Sequence, residues 1–344
     1  MTFSTLAIVC VLASLLLALV IVRVAIAYAH RRGLFDQPGQ RRSHTLPTPR
    51  GGGIGVIIAA LLTMPLCLRL LPVAWPLALV AGLVVATVLV ALVGWWDDHS
   101  SLPVLPRFGV QMLAVALFSC ALLATGGLSW LWWPLLILAG AWSINLHNFM
   151  DGIDGLLAQQ CVFVASAFAV LSWLVAQPAL AIACACLASS CLGFWWFNRA
   201  PARIFMGDVG SGSIGLLLFA LGAMLWRVDH ALVWPVLILC SSFVTDATLT
   251  LLTRMLNGRR WYTAHREHLY QWMVRSGYTH ARGGVRYLIW NLVVTLPLAG
   301  IALGYPRMAL PVCIVAYGVA AAAWLALKRR LRRRDLHKAR HVTT

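Results

Sequence analysis

Acidic side chains are scarce in this chain: ten of its 344 residues are Asp or Glu, against 27 Lys and Arg. Charge of either sign is thin at 11% of residues, while 61% are hydrophobic and mean hydropathy is +0.84. That balance excludes a soluble globular domain. The nine cysteines lack the spacing of a disulfide framework. Most lie inside apolar runs, and Cys184-Ala-Cys186 reads as helix packing rather than a metal or redox pair. No Lys-Ser/Thr follows the glycines near 207–212, which excludes a Walker A phosphate loop. No third carboxylate follows Asp97-Asp98, so a DDxxD motif is absent as well.

What remains is a series of apolar runs long enough to cross hydrocarbon about 30 Å thick as closed helices, each of roughly 20 residues. About eleven are expected, near 3–27, 52–71, 73–95, 109–126, 130–149, 158–176, 179–197, 211–227, 231–253, 285–304 and 308–327. The fold class predicted is all-α: a polytopic membrane protein with one catalytic multi-span domain over 1–327 and a basic tail over 328–344. Ala27-Tyr28-Ala29 has the small-x-small look of a cleavage site. The segment before it lacks a basic start, and its apolar run exceeds the core of a signal peptide, so a retained first helix is expected. Trp-rich ends such as Trp95-Trp96 and Trp195-Trp196 suit an interfacial aromatic belt.

Basic residues set the orientation. Loops after the odd-numbered spans, together with the tail, hold most of the 27 Lys and Arg. The N-terminus is therefore expected outside and the C-terminus in the cytoplasm. By the same parity, the loops 96–108, 148–157 and 198–210, which carry the rare carboxylates, all fall on the cytoplasmic face.

Three elements there point to a metal and phosphate site. Asp97 and Asp98 are adjacent, and their mutual repulsion calls for a cation or basic partner. In Asn145-x-x-Asn148-x-x-Asp151-Gly-x-Asp154-Gly155, polar groups recur every three residues and could be presented together on a helical surface. The glycine-rich loop Gly207-Asp208-Val209-Gly210-Ser211 opens the eighth span. Backbone N–H groups at a helix start attract phosphate, and an aspartate beside them suits Mg²⁺; Ser211 reads as a plain N-cap.

Two basic loops complete the face: Arg41-Arg42-Ser43-His44 with Arg50-Gly51-Gly52-Gly53, and His265-Arg266-Glu267-His268. The two histidines lack a third zinc ligand, which favours phosphate contacts or proton handling. Asp246 lies alone within a spanning segment and is a functional candidate by its depth; a secondary transporter would use such a residue. The tail run Lys328 to Arg334 suits anionic membrane lipids rather than nucleic acid.

Five motifs in this order resemble the polyprenyl-phosphate N-acetylhexosamine-1-phosphate transferases, the family of the lipid I-forming enzyme and of the enzymes that initiate O-antigen and enterobacterial common antigen. They are Asp36-x-Pro38 with Arg42-Ser43-His44 and Gly52-Gly53; Asp97-Asp98; the Asn145 to Gly155 segment; Gly207-Asp208-x-Gly210-Ser211; and His265-Arg266-x-His268. The resemblance covers about residues 35–285. It implies transfer of a sugar phosphate from a UDP-N-acetylhexosamine donor to undecaprenyl phosphate at a bacterial inner membrane, with release of UMP.

It further implies Mg²⁺, with Mn²⁺ as the alternative, on Asp208 and Asp154. Asp97 and Asp98 would act near the attacking lipid phosphate, and Asp151 and Asp154 would hold the nucleotide and metal site with Asn145 and Asn148. Arg42, His44, His265, Arg266 and His268 would bind substrate. The lipid I enzymes carry three consecutive histidines where this chain has Ala264-His265-Arg266-Glu267-His268. That departure favours a simple or deoxy N-acetylhexosamine over a muramyl-pentapeptide donor, which stays as the alternative. The oligomeric state is open, a homodimer included.

Overall fold

The computed structural model describes residues 3–36, 47–260, 263 and 265–342, with side chains as far as Arg333. Arg42 and His44 lie outside the described residues. Among those described, thirteen helices account for nearly all regular structure: α1 Phe3–Arg32, α2 Gly53–Leu70, α3 Leu77–His99, α4 Val104–Ala124, α5 Trp133–Phe149, α6 Leu156–Leu174, α7 Pro178–Asn198, α8 Asp208–Val228, α9 Val233–Leu256, α10 Leu269–Arg275, α11 His280–Trp290, α12 Leu296–Gly304 and α13 Ala309–Val342. A π-helical turn, Asn291–Thr295, joins α11 to α12, so that His280–Gly304 forms one span. The chain is a polytopic membrane protein. Ten of the described helices or joined helices are long and apolar enough to cross a membrane. The eleventh expected span is α5, whose 17 residues sit at the short end of the roughly 17–25 that suffice.

Helix ends depart from expectation where polar residues prove compatible with helix. α3 runs on through Asp97 and Asp98 to His99, and α4 begins at Val104, which brings Arg107 inside its first turn. α13 continues as helix through the basic tail. A two-residue antiparallel pair, β1 Phe35–Asp36 with β2 Thr48–Pro49, was not foreseen. All nine cysteines are free.

α8 is the buried axis. It packs against α3 and α5, and also touches α2, α6 and α9. Without a hydrophobic drive between helices in lipid, close packing needs small residues at the contacts. A Cβ on Gly53 would come within 2.3 Å of Gly210 Cα, and one on Gly94 within 2.4 Å of the Asp208 carbonyl oxygen. These contacts draw the starts of α2 and α8 and the end of α3 to one level. The segment after β2 is then sewn to the loop before α8: Phe205 N donates to Pro49 O at 2.8 Å, Gly52 N to Phe205 O at 2.9 Å and Gly53 N to Met206 O at 2.8 Å.

Candidate active site

At that level lies a cavity of about 290 Å³ lined by Asp36, Arg50, Asp98, Asp151, Asp154 and Asp208, with Asn198, Gln271 and His280 among its other walls. Carboxylates from four separate motifs thus share one space.

Asp208 is the first residue of α8, after Gly207 at φ 75° and ψ 170°, a backbone region essentially confined to glycine. A Cβ there would also meet Asp98 Oδ2 at 2.5 Å. The helix therefore starts three residues earlier than expected. Ser211 lies inside it, where its Oγ accepts from Asn148 Nδ2 at 3.1 Å instead of capping. The N–H groups expected to attract phosphate are also taken. Asp208 N and Val209 N donate to Asp98 Oδ1 and Oδ2 at 3.0 and 3.1 Å. A carboxylate from α3 is the anion at this positive helix end. It staples α3 to α8 and leaves the side chain of Asp208 pointing elsewhere.

Asp208 Oδ1 accepts from Asn148 Nδ2 at 2.8 Å, and Oδ2 from Arg107 Nη1 at 3.0 Å. The same Arg107 nitrogen pairs with Asp97 Oδ2, while Leu102 N donates to Asp97 Oδ1 at 2.7 Å. Arg107 is the cationic partner that the adjacent aspartates called for. The sequence hid it as the lone Lys or Arg of the stretch 96–108. Asn145 does not reach the cavity wall; its Nδ2 donates to Gln111 Oε1 at 3.1 Å and to Ala141 O at 2.8 Å.

Asp154 Oδ1 lies 3.0 Å from His280 Nδ1, and its Oδ2 accepts from Ala202 N at 3.1 Å. Its expected place beside Asp208 as a metal ligand therefore requires those contacts to open. His280, at the start of α11, had no motif to mark it. Asn198 was missed for the same reason: its Oδ1 accepts from Gly155 N and its Nδ2 donates to Ile204 O, both at 2.9 Å, which braces the turn that carries Asp154.

Asp151 makes no side-chain hydrogen bond or ion pair among the described residues. Burial, then the charges of Asp208, Asp98 and Asp154, push its carboxyl well above the ordinary carboxylate range. Five carboxylates line the cavity with Arg50 and His280, and Arg107 reaches Asp208 from α4. That surplus of hard oxygen donors, with one acid destabilised in its charged form, suits the chemistry of a divalent cation such as Mg²⁺, but among the described residues no three acids, histidines or cysteines are grouped to hold one as they stand.

The linkage has a sign. A carboxyl with a raised folded-state pKa binds its proton more tightly in the native state than in the unfolded chain, where it titrates near about 3.9. Stability falls as pH rises through that window. In metal-free protein the thermal midpoint is accordingly expected to drop between pH 5 and 8 by at least about 2 °C more in wild type than in Asp151→Asn. Added Mg²⁺ should remove most of the difference. Thermal scans in detergent at the two pH values measure it, and parallel curves for the two proteins would refute it.

The basic loop approaches through aromatic contacts. Tyr270 donates its hydroxyl to Phe149 O at 2.9 Å. Only a glycine at 152 admits that ring, since a Cβ would lie 2.0 Å from Tyr270 Oη. His268 stacks between Phe149 and Tyr270, with ring centroids 6.1 and 5.8 Å away, and its centroid is 4.9 Å from that of His265. Burial, with neighbouring positive charge, lowers His265 to about 4; burial also lowers His268, against the pull of Asp246. At neutral pH both rings are uncharged and offer hydrogen bonds. Glu267 is held ionised by Arg254 and Arg259 in spite of its burial. Gln271, which lines the cavity, ties the loop to the site by accepting from His268 N at 3.1 Å.

Comparison with known proteins follows the same residues. The sequence model of glycosyl transferase family 4 matches residues 80–225. A decaprenyl-phosphate N-acetylglucosaminephosphotransferase of Mycobacterium tuberculosis (strain CDC 1551 / Oshkosh) is 31% identical, over 86% of this chain and 83% of its own length. The protein of that name from Mycobacterium leprae (strain TN) is 30% identical, over 81% of this chain and 79% of its own. A phospho-N-acetylmuramoyl-pentapeptide-transferase of Synechococcus elongatus is 32% identical over 60% of each chain.

Proposed function

Because the chain belongs to glycosyl transferase family 4, we propose that it transfers a sugar 1-phosphate from a UDP-N-acetylhexosamine to undecaprenyl phosphate, as the first committed step of a surface polysaccharide such as O-antigen. An oxygen of the lipid phosphate forms a bond to the phosphorus that bears the sugar. The bond from that phosphorus to the bridging oxygen breaks, and UMP leaves with the electron pair. The observation that carries this reading is the single cavity shared by Asp98, Asp151, Asp154 and Asp208, because phosphoryl transfer between anions depends on positioning and charge neutralisation.

Asp208 and Asp151, together with Asp154, would hold the divalent ion, Mg²⁺ or Mn²⁺. When bound, that ion neutralises the diphosphate oxygens. Arg107 exchanges its carboxylate partners for substrate phosphate, and Arg50 adds a second positive charge at the cavity wall. Asn148 orients Asp208. His265, Arg266 and His268 contact the donor's phosphates, and Asp97, paired with Arg107, acts near the lipid phosphate. The N-terminus faces the periplasm and the cavity opens to the cytoplasm, where UDP-sugars are found. Asp246, on which a transport reading would depend, is engaged by internal hydrogen bonds.

The test is UMP release from a panel of UDP-sugars with undecaprenyl phosphate, with Mg²⁺ and EDTA arms. UDP-N-acetylglucosamine or a deoxy relative such as UDP-N-acetylfucosamine or UDP-N-acetylquinovosamine is expected to turn over in the Mg²⁺ arm only. Turnover with the UDP-muramyl pentapeptide alone would replace the donor assignment, and no UMP from any donor would end the proposal.

A further inference from the structure

Asp246 takes no part in lining the cavity, yet its burial is among the deepest of any charged side chain described, at 1% exposed. Its oxygens gather donors from across the fold. Oδ1 accepts from Leu269 N at 2.8 Å, Trp324 Nε1 at 2.9 Å and Thr250 Oγ1 at 3.2 Å; Oδ2 accepts from the Tyr287 hydroxyl at 2.7 Å. Leu269 is the first residue of α10, Tyr287 belongs to α11 and Trp324 to α13. One carboxylate in α9 therefore joins three other helices at a point, directly beneath the basic loop.

The residue before Leu269 is His268, and its Nδ1 lies 4.0 Å from Asp246 Oδ1. Lys328 is one helical turn beyond Trp324, with its ammonium 4.0 Å from the centre of that indole ring. Packing alone does not account for a carboxylate here, because burying a charge is costly unless its lone pairs are all met. A neutral amide would offer one acceptor oxygen and turn its own donors toward Leu269 N–H or the Tyr287 hydroxyl. A carboxylate can accept from all four donors at once, and the set comprises the elements that border the loop.

We propose that Asp246 is the positioning residue of the donor-binding loop, holding the start of α10 and the ring of His268 against α11 and α13 so that His265, Arg266 and His268 meet the donor diphosphate already ordered. The role rests on the reading of that loop as the donor-phosphate contact. It also assigns α13 a task beyond spanning the membrane, since Trp324 supplies one wall of the clamp.

The experiment uses the full-length protein purified in detergent, as wild type, Asp246→Asn and the milder Tyr287→Phe. Two quantities are read. The first is the rate at which diethyl pyrocarbonate modifies His268, relative to His147 of α5, which is also buried, by mass spectrometry. The second is the KM for the UDP-sugar set against the KM for undecaprenyl phosphate. In Asp246→Asn, modification of His268 is expected to quicken about tenfold with His147 unchanged, and donor KM to rise about tenfold with acceptor KM within about twofold; Tyr287→Phe should follow in the same direction at smaller size. Equal acceleration at both histidines would reduce Asp246 to a general staple of the bundle and overturn the proposal, as would no change at His268 or in donor KM. Wild type that releases no UMP would remove the transferase reading, while the histidine labelling would still decide whether Asp246 orders the loop.

Discussion

Replacing Asp208 with asparagine is expected to lower UMP release about a thousandfold while the helix bundle stays folded. The substitution keeps shape and one acceptor, so the Asn148 contact at 2.8 Å can persist. Arg107 retains Asp97 as a partner. What disappears is the negative charge at the start of α8, where a divalent ion would neutralise the diphosphate. A metal's stabilisation of developing charge amounts to several kcal/mol, and each 1.36 kcal/mol is about tenfold in rate. Initial rates at saturating Mg²⁺, with circular dichroism and a thermal midpoint on the same preparation, measure the effect. More than about a tenth of wild-type activity would count against the metal role of Asp208.

Asp98→Ala should fail differently, by loss of stability first. The carboxylate is buried, and both of its oxygens accept from backbone N–H groups at 3.0 and 3.1 Å. Removing it leaves two donors unsatisfied at a buried helix start, at about 1–3 kcal/mol each. For a protein of this size that corresponds to a midpoint lowered by roughly 5 °C or more. Activity should fall with it, because these bonds aim Asp208. Asp98→Asn supplies one acceptor and is expected to recover about half of the lost midpoint. If the alanine variant kept the wild-type midpoint, the staple between α3 and α8 would carry no weight. If the asparagine variant recovered stability without activity, the charge itself would be needed in the reaction.

The two aspartates show where sequence reading succeeds and where it stops. Each stands in a recognisable motif at the end of an apolar run, and parity of the spans suffices to put both motifs at one end of the bundle. Nothing local distinguishes the aspartate that caps a helix from the one that faces the cavity. Any anion can serve the N-terminus of α8; the choice of Asp98 over a phosphate depends on how closely Gly94 and Gly207 let α3 and α8 approach. The three-residue spacing of Asn145, Asn148 and Asp151 misled in a similar way. Three residues turn a helix by about 300°, so successive groups drift around the axis. Asn148 meets Asp208 while Asn145 faces Gln111 on α4. Arg107, Asn198 and His280 were overlooked because each is unremarkable alone and matters only through a partner far along the chain.

Apolar run lengths, the bias of basic loops and the order of five motifs were enough to establish a polytopic membrane protein of this family with its scarce carboxylates at one end, since bilayer thickness and helix rise leave little freedom. Which carboxylates stand ready for a ligand was decided by the tertiary structure. Asp98, Asp154 and Asp246 accept from donors as far as 111, 48 and 78 residues away in sequence, whereas Asp151 is left surrounded by other acids. A hydrogen bond is satisfied by whatever packing brings within 3 Å, and that is a property of the folded bundle rather than of any segment of it.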